Sequence, residues 1–259
     1  MRRSALLGAV ALVVLVGPAG SLSRAAVPRA PQPEGVSKAR ATLTRAPETP
    51  RNPRHGLRGS AAQSADSALA RAQRAYDSMT TLKAAFYQTI TNPMLGGPEE
   101  SRGVLFLQPP GKFAMRFSEP DGDRIVADGR WLWIYTPSSV PDQVIRQPVP
   151  TSGANTPNLF AQFVDRPLER YRATYVGRDT VATEPVDLVR LVPKGEDVPF
   201  REAVIAVSTR DGWMRRLSLV EASGQRRVLT FQRLDVNQLI PSGELRFAVP
   251  RGTKVITQG

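Results

Sequence analysis

Histidine, the side chain best suited to acid–base work near neutrality, occurs once in the 259 residues, as His55. It stands in RNPRHGLRG, with no nucleophile or fixed partner in its segment, and is read as a solvated residue. Cysteine is absent, no serine sits in a G-x-S-x-G elbow, and no glycine-rich phosphate loop occurs. Asp121, Asp123 and Asp128 are close in sequence but lie in turns around positions 122 and 129. They lack the spacing and closing Glu of a calcium loop, so turn formation explains them. Glu99-Glu100 and Glu196-Asp197 fall in loops, whereas glycoside hydrolysis needs two acids held roughly 5–9 Å apart across a sugar site. No catalytic set is encoded, and no cofactor or metal is expected. The large side chains encode apolar surface instead. In KFAMRF, Phe113, Met115 and Phe117 share one face of a strand, and in RWLWIY so do Trp131, Trp133 and Tyr135.

Short strands must position these residues. After a loop rich in turn formers (91–100), extended segments follow at 101–107, 112–118, 123–127, 130–135 and 142–147. QPPG, EPDG, ADG and TPSSVP join them. Such short joints leave no room for crossover helices, so neighbours should pair antiparallel. A second series follows at 171–177, 185–192, 200–207, 213–221 and 226–236, with Asp211-Gly212 as a tight-turn signal. Ahead of both, residues 61–79 are alanine-rich, and Leu69, Ala72, Tyr76 and Met79 recur at helical spacing. From Leu82 the period shifts towards two: Ala84, Phe86, Gln88 and Ile90 oppose Lys83, Ala85, Tyr87 and Thr89. One helix interrupts the strands, with Thr156 as capping candidate, Pro157 at its first position, and Phe160, Phe163 and Val164 on one side. A helix that short must lie on the sheet. The tail, SGELRFAVPRGTKVI, reads as an extended end.

The first sixty residues are of another kind. Two arginines, an apolar run from Ala5 to Val16 and a Gly17-Pro18 break resemble a cleavable export signal over residues 1–25. The run is shorter than the roughly 20 residues of a spanning helix. Residues 26–60 hold six prolines and seven Lys/Arg but two Glu, and are read as a disordered tether. That tether carries a net charge of +5. Residues 61–259, read as one domain, hold 25 basic and 21 acidic side chains, a net of +4 against +12 for the chain. The folded part shows no basic stripe, and nucleic acid is not expected as a partner.

Several pieces together resemble the outer-membrane lipoprotein carrier protein (LolA) family: TLKAAFYQTIT (81–91), GVLFLQPPGKFAMRF (103–117), IVADGRWLWIYTP (125–137), NTPNLFAQF (155–163) and ELRFAVPRG (244–252). The resemblance implies a mainly β fold: one incomplete antiparallel half-barrel of ten or eleven strands, with helices 62–79 and 157–165 on its concave side. It also implies a monomeric periplasmic chaperone, not an enzyme. Such a chaperone takes triacylated lipoproteins from an inner-membrane lipoprotein-releasing ABC transporter and passes them to an outer-membrane acceptor. By the same resemblance, Phe113, Met115, Phe117, Trp133 and Tyr135 would line the acyl cavity or its mouth, and Tyr76, Phe160 and Phe163 would belong to the lid. The family's strand-end arginine, which holds the lid shut, is replaced by Pro109, which has no donor. Closure would then be missing or supplied otherwise, with Lys112 and Arg116 as candidates. A lipid- or protein-binding sensor domain on the same half-barrel is the competing reading.

Overall fold

The computed structural model describes residues 54–94, 97–149, 158–195 and 198–258. The signal (1–25), most of the tether and the capping candidate Thr156 lie outside them. Among the described residues no helix is long and apolar enough to cross a membrane.

The expected strands are all present: β1 (Leu82–Thr91), β2 (Glu99–Gln108), β3 (Lys112–Glu119), β4 (Asp121–Asp128), β5 (Trp131–Tyr135), β6 (Gln143–Pro148), β7 (Tyr171–Val181), β8 (Glu184–Pro193), β9 (Phe200–Ser208), β10 (Met214–Glu221) and β11 (Arg226–Val236). A twelfth, β12 (Lys254–Thr257), exceeds the expected ten or eleven and pairs parallel with β6, the other pairings being antiparallel. All twelve form one sheet in the order β12-β6-β5-β4-β3-β2-β1-β11-β10-β9-β8-β7. β12 and β7 remain as edges, so the sheet does not close into a barrel.

One face of this sheet wraps a large apolar cluster. Strict alternation along β1 sends Leu82, Ala84, Phe86, Gln88 and Ile90 inward. Inward side chains from β1 to β11 meet there with the apolar stripe of helix α1 (Arg54–Asp77), among them Ala68, Leu69, Ala72 and Ala75. α1 begins ahead of the expected residue 62, inside the segment read as tether. Arg71 ties it to the sheet by an ion pair with buried Asp187 of β8, which also accepts from Tyr175 at 2.9 Å. At the Asp211-Gly212 turn, Gly212 has φ +78°, and a Cβ there would meet the Arg71 carbonyl at 2.7 Å. Only glycine serves both the turn and the close passage of α1.

The other face is partly covered too. Phe106, Ala114 and Val126 point outward from β2, β3 and β4, and Leu245, Ile240 and Phe247 of the C-terminal segment pack over them. VLFLQ and IVA are apolar on both sides, as strands covered on both faces are.

Candidate functional site

The inner wall is built from β3 and its neighbours. Phe113 lies between Leu107 and Ala127, and Met115 between Leu105 and Ile125. Phe113 is 1% exposed and Met115 fully buried. Phe117, one step further along the same face, is half-buried and meets Phe86 edge-on at 5.2 Å. Beyond it the inner face opens into a cleft of about 520 Å³, lined by Ile90, Phe117 and Ile125 and bordered by Glu99, Glu119 and Asp123. Burial raises the Asp123 carboxyl, offset in part by hydrogen bonds from Ser138. None of the described helical residues lines this cleft.

Over β9–β11 the inner face is filled by α2 (Leu159–Val164). Asn158 starts it, its side-chain oxygen accepting from the Phe160 and Ala161 amides at 3.1 Å each. The cap is therefore Asn158, two residues after the expected Thr156. The Phe160 ring lies 5.0 Å from Phe231 and 6.3 Å from Trp213, while Phe163 stacks on Tyr171 at 6.0 Å and tilts against Phe200 at 5.5 Å. Both rings are as buried as the sheet's own core.

Four polar ties hold α2 down. Asn158 Nδ2 donates to Tyr76 Oη at 3.0 Å, the Arg166 amide to Gln73 Oε1 at 3.1 Å, and Tyr171 Oη to the Gln162 carbonyl at 3.0 Å. Burial raises both phenols, Tyr76 further through Asp165, so the Tyr171 hydroxyl remains a donor. The fourth tie is Arg170, at the end of the short helix α3 (Pro167–Arg170). Its Nη2 donates to the Ala161 carbonyl at 2.8 Å and to the Asp165 carbonyl. A guanidinium here satisfies the orphan carbonyls at the C-terminus of α2 and complements its dipole.

Neither candidate for lid control reaches α2. Pro109 lies in the turn between β2 and β3, and Lys112 is exposed at the start of β3. Arg116 alternates with Phe117 and so faces outward, where it pairs with Glu244 and donates to the Gly243 carbonyl at 3.0 Å. It anchors the C-terminal segment. The cation that reaches α2 is Arg170, which was not among the expected residues. A basic residue shortly after an apolar helix was the available signal.

Trp133 and Tyr135 are also corrected. The inward positions of β5 belong to Leu132 and Ile134, so the three aromatics face outward, away from Phe113. Trp133 stacks on Phe247 at 5.4 Å and donates from Nε1 to Asp128 Oδ2 at 2.8 Å; Tyr135 meets Phe247 edge-on at 6.1 Å. The Arg146 guanidinium lies 4.3 Å over Trp131. Burial pushes the Asp128 carboxyl up, but hydrogen bonds from the Trp131 amide, Trp133 and the Arg130 amide outweigh it and hold the pKa below its ordinary value. Of the expected cavity residues, Phe113, Met115 and Phe117 share the inner face with Phe160 and Phe163; Trp133 and Tyr135 do not. Tyr76 touches the capping residue of α2 through its hydroxyl.

Among the described residues no cluster of His, Cys, Asp and Glu could hold a metal ion. The arrangement excludes water around α2 and leaves apolar surface from Ile90, Phe117 and Ile125 open at the cleft. A family model described as outer membrane lipoprotein carrier protein LolA matches residues 77–248. The chain is similar to the outer-membrane lipoprotein carrier proteins of Methylobacillus flagellatus (26% identical, covering 70% of this chain and 84% of that one) and Chromobacterium violaceum (27%, covering 74% and 88%). It is likewise similar to that of Ralstonia nicotianae (28%, covering 74% and 87%). A looser likeness joins it to a solved LolA superfamily protein from Nitrosomonas europaea, with 14% identity and a TM-score of 0.38 over 71% of this chain and 97% of that one.

Proposed function

The chain belongs to the outer membrane lipoprotein carrier protein family, and we propose that its inner face and α2 together form the shelter in which acylated lipoproteins cross the periplasm. As a family member it is a non-catalytic periplasmic lipoprotein carrier. The observation behind the proposal is that the inner face is mainly apolar but filled, over β9–β11, by a six-residue helix. Hiding one long acyl chain from water gains on the order of 10 kcal/mol at about 0.8 kcal/mol per methylene. Withdrawing Phe160 and Phe163 costs about 1.5–3 kcal/mol for each ring, plus about 0.5–3 kcal/mol for each polar tie. A guest with more than one acyl chain therefore outcompetes the lid, and loss of the guest lets α2 return. Phe117, Ile90 and Ile125 offer the first apolar contact at the cleft, and the wall from Phe113 to Met115 is reached as α2 leaves.

Within this scheme the chain is exported by residues 1–25, is spaced from surfaces by the Pro/Arg-rich segment after them, and works as a monomer. It receives triacylated cargo from an inner-membrane ABC transporter and delivers it to an outer-membrane acceptor. Purified protein added to membranes containing that transporter and ATP should bring a triacylated lipoprotein into the soluble fraction at about one to one. Release no greater than with an unrelated periplasmic protein would refute the carrier mechanism proposed here.

A further inference from the structure

Among the described residues one Lys/Arg side chain is buried on the inner face: Arg227, 1% exposed. It sits on β11 in register with Ile90 of β1 and Leu219 of β10, and alternates with Leu229 and Phe231 of the inner cluster. Its Nη2 donates to Glu221 Oε1 at 3.1 Å, which also accepts from Gln225 Nε2 at 3.1 Å. Its Nε and Nη1 make no hydrogen bond to any described residue. Burial lowers the guanidinium to about 10 despite Glu221, and it remains charged at neutral pH. Two residues along β1 from Ile90, Gln88 is equally buried. Its Nε2 donates to Ser101 Oγ at 3.0 Å, and its Oε1 is without a partner among the described residues. Ile90, Gln88 and Ser101 all line the 520 Å³ cleft.

Buried polar atoms without partners are rare because leaving them so is costly. Here they occur as a complementary set, donors on one strand and an acceptor on the next, beside an apolar cleft. We propose that Arg227 and Gln88 bind the amide group joining an acyl chain to an amino-terminal residue. The guanidinium donates to the amide carbonyl, the Gln88 Oε1 accepts the amide N–H, and the chain runs over Ile90, Phe117 and Ile125. The charges select a neutral group over an anion. Glu221 already compensates Arg227, and Glu99, Glu100, Glu119 and Asp123 around the cleft repel a carboxylate or phosphate. The lipoprotein-carrier reading supplies the natural source of such an amide, an N-acylated amino terminus, but the amide preference is measurable without it.

The test titrates the purified full chain with three probes of one chain length: N-dodecanoyl glycinamide, the ester glycolamide dodecanoate, and dodecanoate. The wild type is expected to rank them amide, ester, carboxylate. Arg227→Lys keeps a charge for Glu221 but loses the planar fork, and should weaken amide and ester about tenfold each. Gln88→Leu should erase the amide-over-ester preference while leaving the ester unchanged. This second variant keeps the test decisive should thermal melting show Arg227→Lys to be unfolded. Wild-type affinity no greater for the amide than for dodecanoate would overturn the proposal. So would an amide-over-ester preference that survives Gln88→Leu, or a variant that weakens all three probes equally. Failure to extract lipoprotein from membranes with the ranking intact would remove the carrier mechanism and leave this site standing.

Discussion

Replacing Arg170 with alanine tests how the lid is held. Arg170 spans the Ala161 and Asp165 carbonyls at the end of α2. A hydrogen bond from a charged donor contributes about 1.5–3 kcal/mol, and the half-buried setting of this guanidinium argues for the lower end. About 1.5 kcal/mol shifts a local open-to-closed equilibrium by roughly tenfold. The packing of Phe160 and Phe163 is untouched, so the change should stay confined to α2. Hydrogen exchange reads it at the Gln162 and Asp165 amides, which bond to the Asn158 and Ala161 carbonyls at 3.0 and 3.1 Å. Their protection should fall about tenfold while that of Phe86 or Leu229 in the central strands holds, and uptake of a hydrophobic dye should rise in step. Arg170→Lys should fall between. Unchanged exchange at Asp165 in a folded Arg170→Ala protein would refute the polar clamp and leave packing alone in charge of the lid. An equal loss of protection across the sheet would make Arg170 a global stabiliser.

Two further substitutions separate core from cleft and inner from outer face. Phe113→Ala should lower stability by about 3–5 kcal/mol, being enclosed by Leu107 and Ala127, whereas half-buried Phe117→Ala should cost less stability and more cargo, read by melting beside lipoprotein extraction. Trp133→Ala should lower the melting temperature and speed exchange in the segment around Phe247, with extraction per folded molecule unchanged; a selective loss of extraction would return Trp133 to the cargo path.

Strand positions and their pairing were legible because the turn chemistry between them is dense and β1 alternates strictly. Alternation also put Phe113, Met115 and Phe117 on one face, the inner one. It failed at Trp133 and Tyr135 because β5 offers apolar residues to both faces, and only the C-terminal segment arriving with Phe247 decides which set turns outward. That contact spans more than a hundred residues and has no local signature. β12 was hidden for the same reason: four residues that extend only because β6 presents a free edge. The α2 helix was visible from Phe160 and Phe163, but the polar contacts that hold it were not. The cations proposed for it came from the strand after the Pro109 turn, where Arg116 turns outward by one step of the pleat. The guanidinium that fastens it follows the helix itself.

If α2 must leave the inner face for cargo to enter, pinning it in place should abolish carriage. The chain has no cysteine, so a pair introduced as Gln73→Cys and Arg166→Cys, where α1 meets the segment after α2, can be bridged by a cleavable bismaleimide without competing thiols. Extraction of a triacylated lipoprotein from transporter-containing membranes is then measured for the bridged, cleaved and unbridged protein. The bridged form should extract little or nothing, and the cleaved form should recover. Undiminished extraction by the bridged protein would contradict that requirement.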